Sequence, residues 1–201
     1  MLIIIAGMPA SGKSTIALKL SKSLNLPILE KDAIKEELFD TIGFNNYAQK
    51  RQLDVAATAV LIRLCDSLLE IDTSLIVVNN FRSDYSDTVK DLIDRHNASC
   101  ITLFFKGDAD TFYRRYVERD VKHNRHLGHI LQDRFPPQEG DSLDYTMSRE
   151  EFAEKFEKLG MDEFDIGGVR IEIDATNPEE IDVDSLINQV KNYMENNKNK
   201  L

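Results

Sequence analysis

Near the start of the chain, Gly7-Met8-Pro9-Ala10-Ser11-Gly12-Lys13-Ser14 spells GxxxxGKS and is followed by Thr15. That spacing suits phosphate chemistry. The loop's backbone N–H groups converge on phosphate oxygens, Lys13 reaches the β and γ phosphates of a nucleoside triphosphate, and Ser14 offers its hydroxyl to Mg²⁺. A helix that follows such a loop aims its positive N-terminus at the same oxygens. Both flanks agree with this reading. Leu2 to Ala6 is a short apolar run fit for a buried strand, and from Ser14 to Leu24 the residues Ile16, Ala17, Leu20 and Leu24 share one helical face.

The elements that must carry this loop are legible in outline. Apolar runs alternate with helical patterns, as expected of a parallel sheet covered by helices on both faces. The expected strands are Leu2 to Ala6, Pro27 to Leu29, Leu75 to Asn79, Cys100 to Phe105 and Val169 to Asp174. Leu53, Ala56, Ala57, Val60, Leu61, Leu64 and Leu68 recur at helical spacing, which predicts one helix over Tyr47 to Leu69 with that stripe as core. Asp87 to Arg95 and Ala109 to Lys122 are further helices. The last begins near Pro178, with Asn177 as its cap and Pro178 in its first turn; it closes the fold through Ile181, Leu186, Ile187, Val190 and Met194. His123 to Gly140 breaks the alternation and reads as a mobile cover over a site.

A chain of 201 residues suits a single domain, here 1–196, with a frayed tail over 197–201. Twenty-five Lys and Arg against 35 Asp and Glu give a net charge of −10, which opposes a broad attraction to nucleic acid. Cys65 and Cys100 lack metal or CxxC spacing and read as core thiols. No run approaches a membrane span and no basic leader precedes the apolar start, so the expected location is cytoplasmic. The spacing of His123, His126 and His129 lacks the cysteines or carboxylates that would complete a metal site.

Taken in order, GMPASGKST at Gly7 to Thr15, KDAIKEELFD at Lys31 to Asp40, NNF at Asn79 to Phe81, RHLGH at Arg125 to His129 and VRIEIDATNPEEID at Val169 to Asp182 resemble the P-loop kinases. These enzymes phosphorylate small molecules or polynucleotide ends, and many bacterial members carry the label of AAA-family ATPases. The resemblance covers nearly the whole chain. It implies a three-layer α/β P-loop NTPase fold, a five-stranded parallel sheet of order 2-3-1-4-5, a lid, and transfer of the γ phosphate of ATP to a hydroxyl with Mg²⁺ as cofactor.

Such a transfer needs positioning, charge neutralisation and a carboxylate beside the attacking hydroxyl. Asp32 follows the second strand, at the sheet edge where ligands bind in open α/β folds. In the resembling kinases the matching Asp orients or deprotonates the acceptor; the same residue also reads as an N-cap for a helix over Ala33 to Phe39. The resemblance places Arg115, Arg119 and Arg125 among lid arginines that bridge the γ phosphate or stack on adenine. For Arg115 and Arg119, solvated helix charges are the other reading. Lys31, Lys35, Arg51 and Arg82 read first as surface charges and second as substrate contacts. The turn Ala175-Thr176-Asn177-Pro178 resembles the adenine-side loop, so Asn177 and Pro178 join the nucleotide set, and Gly43, Phe44 and Tyr47 are candidates to line an acceptor pocket.

One departure bears on the class of enzyme. The third strand ends in Asn79-Asn80, where many P-loop ATPases carry an acid, so Mg²⁺ falls to Ser14, water and Asp32. That departure weakens an ATPase motor and leaves two readings: a kinase acting on a hydroxyl-bearing small molecule, and an ATP-binding regulatory module with weak catalysis. A GTP switch lacks its Asn-Lys-x-Asp element.

Overall fold

The computed structural model describes residues 1–122, 125–141 and 147–197. Five parallel strands, β1 (Leu2–Gly7), β2 (Ile28–Glu30), β3 (Leu75–Val78), β4 (Cys100–Lys106) and β5 (Val169–Asp174), form one sheet of order β2-β3-β1-β4-β5, as expected. The helices are α1 (Lys13–Leu24), α2 (Lys31–Ile42), α3 (Tyr47–Leu69), α4 (Ser86–Arg95), α5 (Ala109–Val121), α6 (Leu127–Ile130), α7 (Arg149–Lys158) and α8 (Val183–Asn197).

Strand β1 shows how the three layers arise. Successive side chains on a strand point to opposite faces. Ile3 and Ile5 therefore pack with Ile16 and Leu20 of α1, Phe112 of α5 and Leu186 and Val190 of α8, while Leu2, Ile4 and Ala6 pack with Leu61 and Cys65 of α3, Leu92 of α4 and Phe164. Both faces are covered, which is why the strand reads as an unbroken apolar run rather than an alternating one. Cys65 and Cys100 are buried and free, and burial pushes both thiols up to about 12. No helix among the described residues is long and apolar enough to cross a membrane.

Register decides what reaches the ligand edge. Glu30 lies beside Val78, and Gly7 beside Phe105, so the carboxyl ends of β1, β2 and β3 deliver the phosphate loop, Glu30 and Asn79 to one side of the sheet. A third, smaller apolar cluster of Phe39, Phe44, Leu53 and Leu131 joins α2 and α3 to the chain after α5. It is reinforced by the antiparallel bridge between Phe44 and Phe135.

Four expectations need correction. Val60 and Leu64 are 42% and 40% exposed; the buried stripe of α3 is Leu53, Ala57, Leu61, Cys65 and Leu69, because the sheet covers only one side of the helix. The chain enters α2 directly from β2, so Lys31 rather than Ala33 is its first residue. Pro178–Glu180 forms only a 3-10 turn without a side-chain cap, and the last helix starts five residues later, where the Ser185 N–H donates to Asp182 Oδ1 at 2.9 Å. The interval expected to be an irregular cover contains α6 and is tied to α3 by the Lys50 ammonium, which donates to the carbonyls of His129 (2.9 Å) and Leu131 (2.5 Å). Asn197, the first residue of the expected frayed tail over 197–201, instead ends α8, and the rest of that tail lies outside the described residues.

Candidate active site

The phosphate loop has the shape its sequence implies. Gly7 adopts φ +121°, and a Cβ there would sit 2.1 Å from the Phe105 carbonyl oxygen, so no side chain fits beside β4. Gly12 adopts φ +86° immediately before α1, a left-handed conformation natural to glycine. The loop wraps the ammonium of Lys13, which donates to the Gly7 carbonyl (2.9 Å), the Met8 carbonyl (2.6 Å) and Ser11 Oγ (3.3 Å). Burial lowers the Lys13 pKa to about 7, partly offset by Asp32. These three bonds tie the Lys13 ammonium to the loop that precedes its helix.

Above the loop is a cavity of about 320 Å³, lined by Pro9 to Thr15, Glu30, Asp32, Val78, Asn79, Asn80, Arg115, Arg119 and Arg125. Its arginines hold distinct places. Arg115 donates to the carbonyls of Ala175 (2.9 Å) and Thr176 (2.5 Å), bracing the turn after β5. Arg119, one helical turn later, keeps Nε and one Nη buried without a hydrogen-bond partner among the described residues. Asp120 lies 3.7 Å from both Arg119 and Arg125, and both guanidiniums flank the Tyr116 ring at 5.6 Å. Burial, then the neighbouring Arg125, lowers the Arg119 pKa. Buried donors without an acceptor are costly unless a ligand completes them, and here the fitting ligand is an anion. A triphosphate meets that requirement.

A second cavity, of about 380 Å³, adjoins the first and shares Pro9, Asp32, Asn79, Asn80 and Arg125 with it. Lys31 (2.8 Å) and Lys35 (2.7 Å) both clamp Asp54 on its wall, which holds that carboxyl far below the usual range although burial works the other way. Asp32 faces the shared space, with its side chain 53% exposed and Arg125 at 3.9 Å. Burial alone would raise its pKa; His129, Arg125, Lys35 and Lys31 outweigh that and lower it. A carboxylate kept charged by its neighbours is suited to accept a hydrogen bond from a hydroxyl and orient it for transfer.

The structure brings Lys13, Ser14, Thr15, Asp32, Arg115, Arg119 and Arg125 to one cavity. Asp32 lies in the first turn of α2, after Glu30 at the cap position, and its side chain caps nothing. Asn177 and Pro178 are exposed and stand outside the phosphate cavity; Arg115 connects it to their turn. Of the acceptor-pocket candidates only Tyr47 lines the second cavity, since Phe44 is core and Gly43 packs against the Phe135 backbone. His126 pairs with Asp40 at 3.0 Å and His129 with Glu36 at 2.9 Å, whereas His123 lies outside the described residues. No cluster of three or more His, Cys, Asp or Glu able to hold a metal exists among the described residues. Mg²⁺ held by phosphate oxygens, the Ser14 hydroxyl and water requires no such cluster.

Sequence reasoning missed Glu30, Asp120 and Tyr116. Glu30 Oε1 and Asn79 Nδ2 are buried and unpartnered among the described residues, and both residues line the phosphate cavity from adjacent strands. The acid absent from the end of β3 thus has a counterpart at the end of β2. Its signal was the Glu30-Lys31-Asp32 run straddling a strand end. Helix α7 was missed too, although Ser148 and Glu151 form the capping box that their spacing announces ahead of Phe152 and Phe156.

Comparison with known proteins agrees with this geometry. A family model described as an AAA domain matches residues 2–133. A candidate kinase from Chloroflexus aurantiacus J-10-fl is similar at 28% identity and TM-score 0.79, over 95% of this chain and 96% of that one. The fold also matches a shikimate kinase from Bacteroides thetaiotaomicron (16% identity, 97% and 98% of the two chains, TM-score 0.53). A gluconokinase from Sinorhizobium meliloti 1021 matches at 12% identity, over 92% and 86%, with TM-score 0.51. Matched by that model over more than half its length and sharing the kinase fold from end to end, the chain belongs to this AAA domain family of P-loop proteins and has the P-loop kinase fold.

Proposed function

We propose that this protein is an ATP-dependent phosphotransferase that moves the γ phosphate to a hydroxyl of a small molecule. The observation that carries the proposal is the junction of the two cavities at Asp32 and Arg125. A donor phosphate seated on the loop ends at that junction, and an acceptor entering the second cavity meets it there. Lys13 and Arg119 neutralise the phosphates, Arg125 bridges charge between donor and acceptor, and Asp32 aligns the acceptor hydroxyl. Ser14, with water and Glu30 or Asp32 behind it, would hold Mg²⁺, which would supply charge neutralisation of the phosphates when bound. The turn at Asn177 and Pro178, braced by Arg115, takes the adenine side, and the segment carrying Arg125 covers the junction.

The direct test is transfer from γ-labelled ATP to a panel of hydroxyl-bearing metabolites, with Asp32→Asn as the diagnostic variant. Asp32 makes no hydrogen bond to the described chain, so the amide leaves fold and nucleotide affinity near wild type while transfer falls by roughly 10²-fold or more. Wild-type transfer by Asp32→Asn would remove Asp32 from the reaction. ATP binding without transfer to any acceptor would favour the regulatory module instead.

A further inference from the structure

We infer that the acceptor is itself an anion: besides the hydroxyl that receives phosphate, it carries a carboxylate or phosphate group that the second cavity holds. This rests on the phosphotransferase reading of the site and adds the substrate's charge class to it. The cavity contradicts the charge of the chain around it. Acidic residues outnumber basic ones by 35 to 25 overall, yet eight lysines and arginines line this cavity against two carboxylates, Asp32 and Asp54.

Arg82 and Lys158 are paired with Asp84 and Glu154 beyond the lining and Arg125 lies near Asp120, and the two lining carboxylates do not neutralise the cations that remain. Asp54 is already shared by Lys31 and Lys35, and Asp32 is the group assigned to the hydroxyl. Lys50, Arg51 and Lys155 approach from α3 and α7 and have no carboxylate partner among the described residues. Lys50 is buried and spends its donors on two backbone carbonyls, whereas Arg51 and Lys155 are free to reach a ligand. Burial chiefly, then Lys35 and Arg125, lowers Lys50 to about 7, and burial followed by Arg125 and Lys35 lowers Lys155 as well, so the neighbouring cations add to a desolvation each ammonium already bears. Like charges facing one another across a concave wall repel until an anion enters, and low-dielectric walls concentrate that field. A neutral polyol would leave it uncompensated.

Two measurements on the full chain test this together. In the first, protein saturated with Mg²⁺ and a non-hydrolysable ATP analogue is titrated with tricarballylate and with its uncharged triamide, in wild type and in the Arg51→Gln, Lys155→Gln double variant. Neither replaced cation has an acidic partner, so the double variant orphans no carboxylate and its folding is checked by circular dichroism. The tricarboxylate should bind wild type, bind the double variant about ten-fold or more weakly, and lose affinity with added salt, while the triamide should not bind.

In the second, the phosphorylation panel is arranged as matched pairs, each a hydroxy acid or sugar phosphate beside its neutral counterpart. Anionic members should be preferred by roughly 10²-fold in kcat/KM, with the double variant raising KM more than it lowers kcat. Neutral acceptors used equally well would overturn the charge assignment and leave the kinase standing. Charge-dependent binding with no transfer to any acceptor would do the reverse. Absence of both binding and anion preference removes the anion site.

Discussion

Nucleotide binding should draw a proton from solution at alkaline pH, because Lys13 is poised to gain one. In the ligand-free loop burial holds its pKa at about 7. A phosphate charge about 4 Å away contributes roughly 4 kcal/mol at an effective dielectric near 20, equivalent to about 3 pKa units, so the bound lysine stays protonated beyond about pH 10. At pH 8 the free protein carries this proton on roughly a tenth of its molecules and the complex on nearly all, an uptake of about 0.9 proton per site. Affinity must fall as pH rises above the free pKa, by roughly 50-fold between pH 7 and pH 9. Phosphate monoesters have a second pKa near 6, so the ligand contributes little in that window. Calorimetric titration with a non-hydrolysable ATP analogue, repeated in buffers of different ionisation enthalpy, reads the uptake directly. Lys13→Arg, charged throughout, should abolish it. Zero uptake in wild type, or the same uptake in Lys13→Arg, would refute the assignment of a depressed Lys13 to the phosphate site.

Two further outcomes follow from buried charges. Glu30→Gln should lower phosphoryl transfer by about ten-fold or more while raising the melting temperature, since it removes a charge whose Oε1 is buried and unpartnered; activity and melting temperature falling together would make Glu30 structural. Lys13 and Lys50 both titrate near 7 when folded and near 10.5 when unfolded. Between those values the unfolded chain binds more protons, so unfolding free energy should climb with pH by up to about 1.4 kcal/mol per unit for each lysine, and Lys50→Met should flatten urea-denaturation data collected from pH 7 to 9.

What could be read before the structure was whatever depends on neighbours in sequence. The phosphate loop is a local backbone shape, so its spelling suffices, and the strands announce themselves because burial on both faces leaves unbroken apolar runs such as Leu2 to Ala6. Sheet order was reached by resemblance, since no local feature of β3 says that it lies between β1 and β2. Boundaries failed where tertiary packing overrode a local signal. Pro178 starts only a 3-10 turn although proline favours a first helical position, and Val60 and Leu64 fit the helical period but lie beyond the sheet's reach.

The second cavity was hardest to foresee because its pieces are distant in sequence and ordinary one at a time. Lys35, Arg51 and Lys155 are each the kind of residue found on any helix surface, and single surface charges carry little information. Their meaning comes from α2, α3 and α7 converging on one cavity. The chain after α5 is fixed there by two unlike contacts: the Phe39, Phe44 and Leu131 cluster holds it by burial, and Lys50 holds it through the His129 and Leu131 carbonyls. That anchoring helps set where Arg125 stands, 3.9 Å from Asp32 and 3.7 Å from Asp120. Lys50 is therefore structural toward the segment and electrostatic toward the cavity. Lys50→Met removes the charge and both carbonyl contacts together, so calorimetric titration with tricarballylate should show weaker binding alongside a lower melting temperature, and unchanged affinity with a lower melting temperature would leave Lys50 a purely structural anchor.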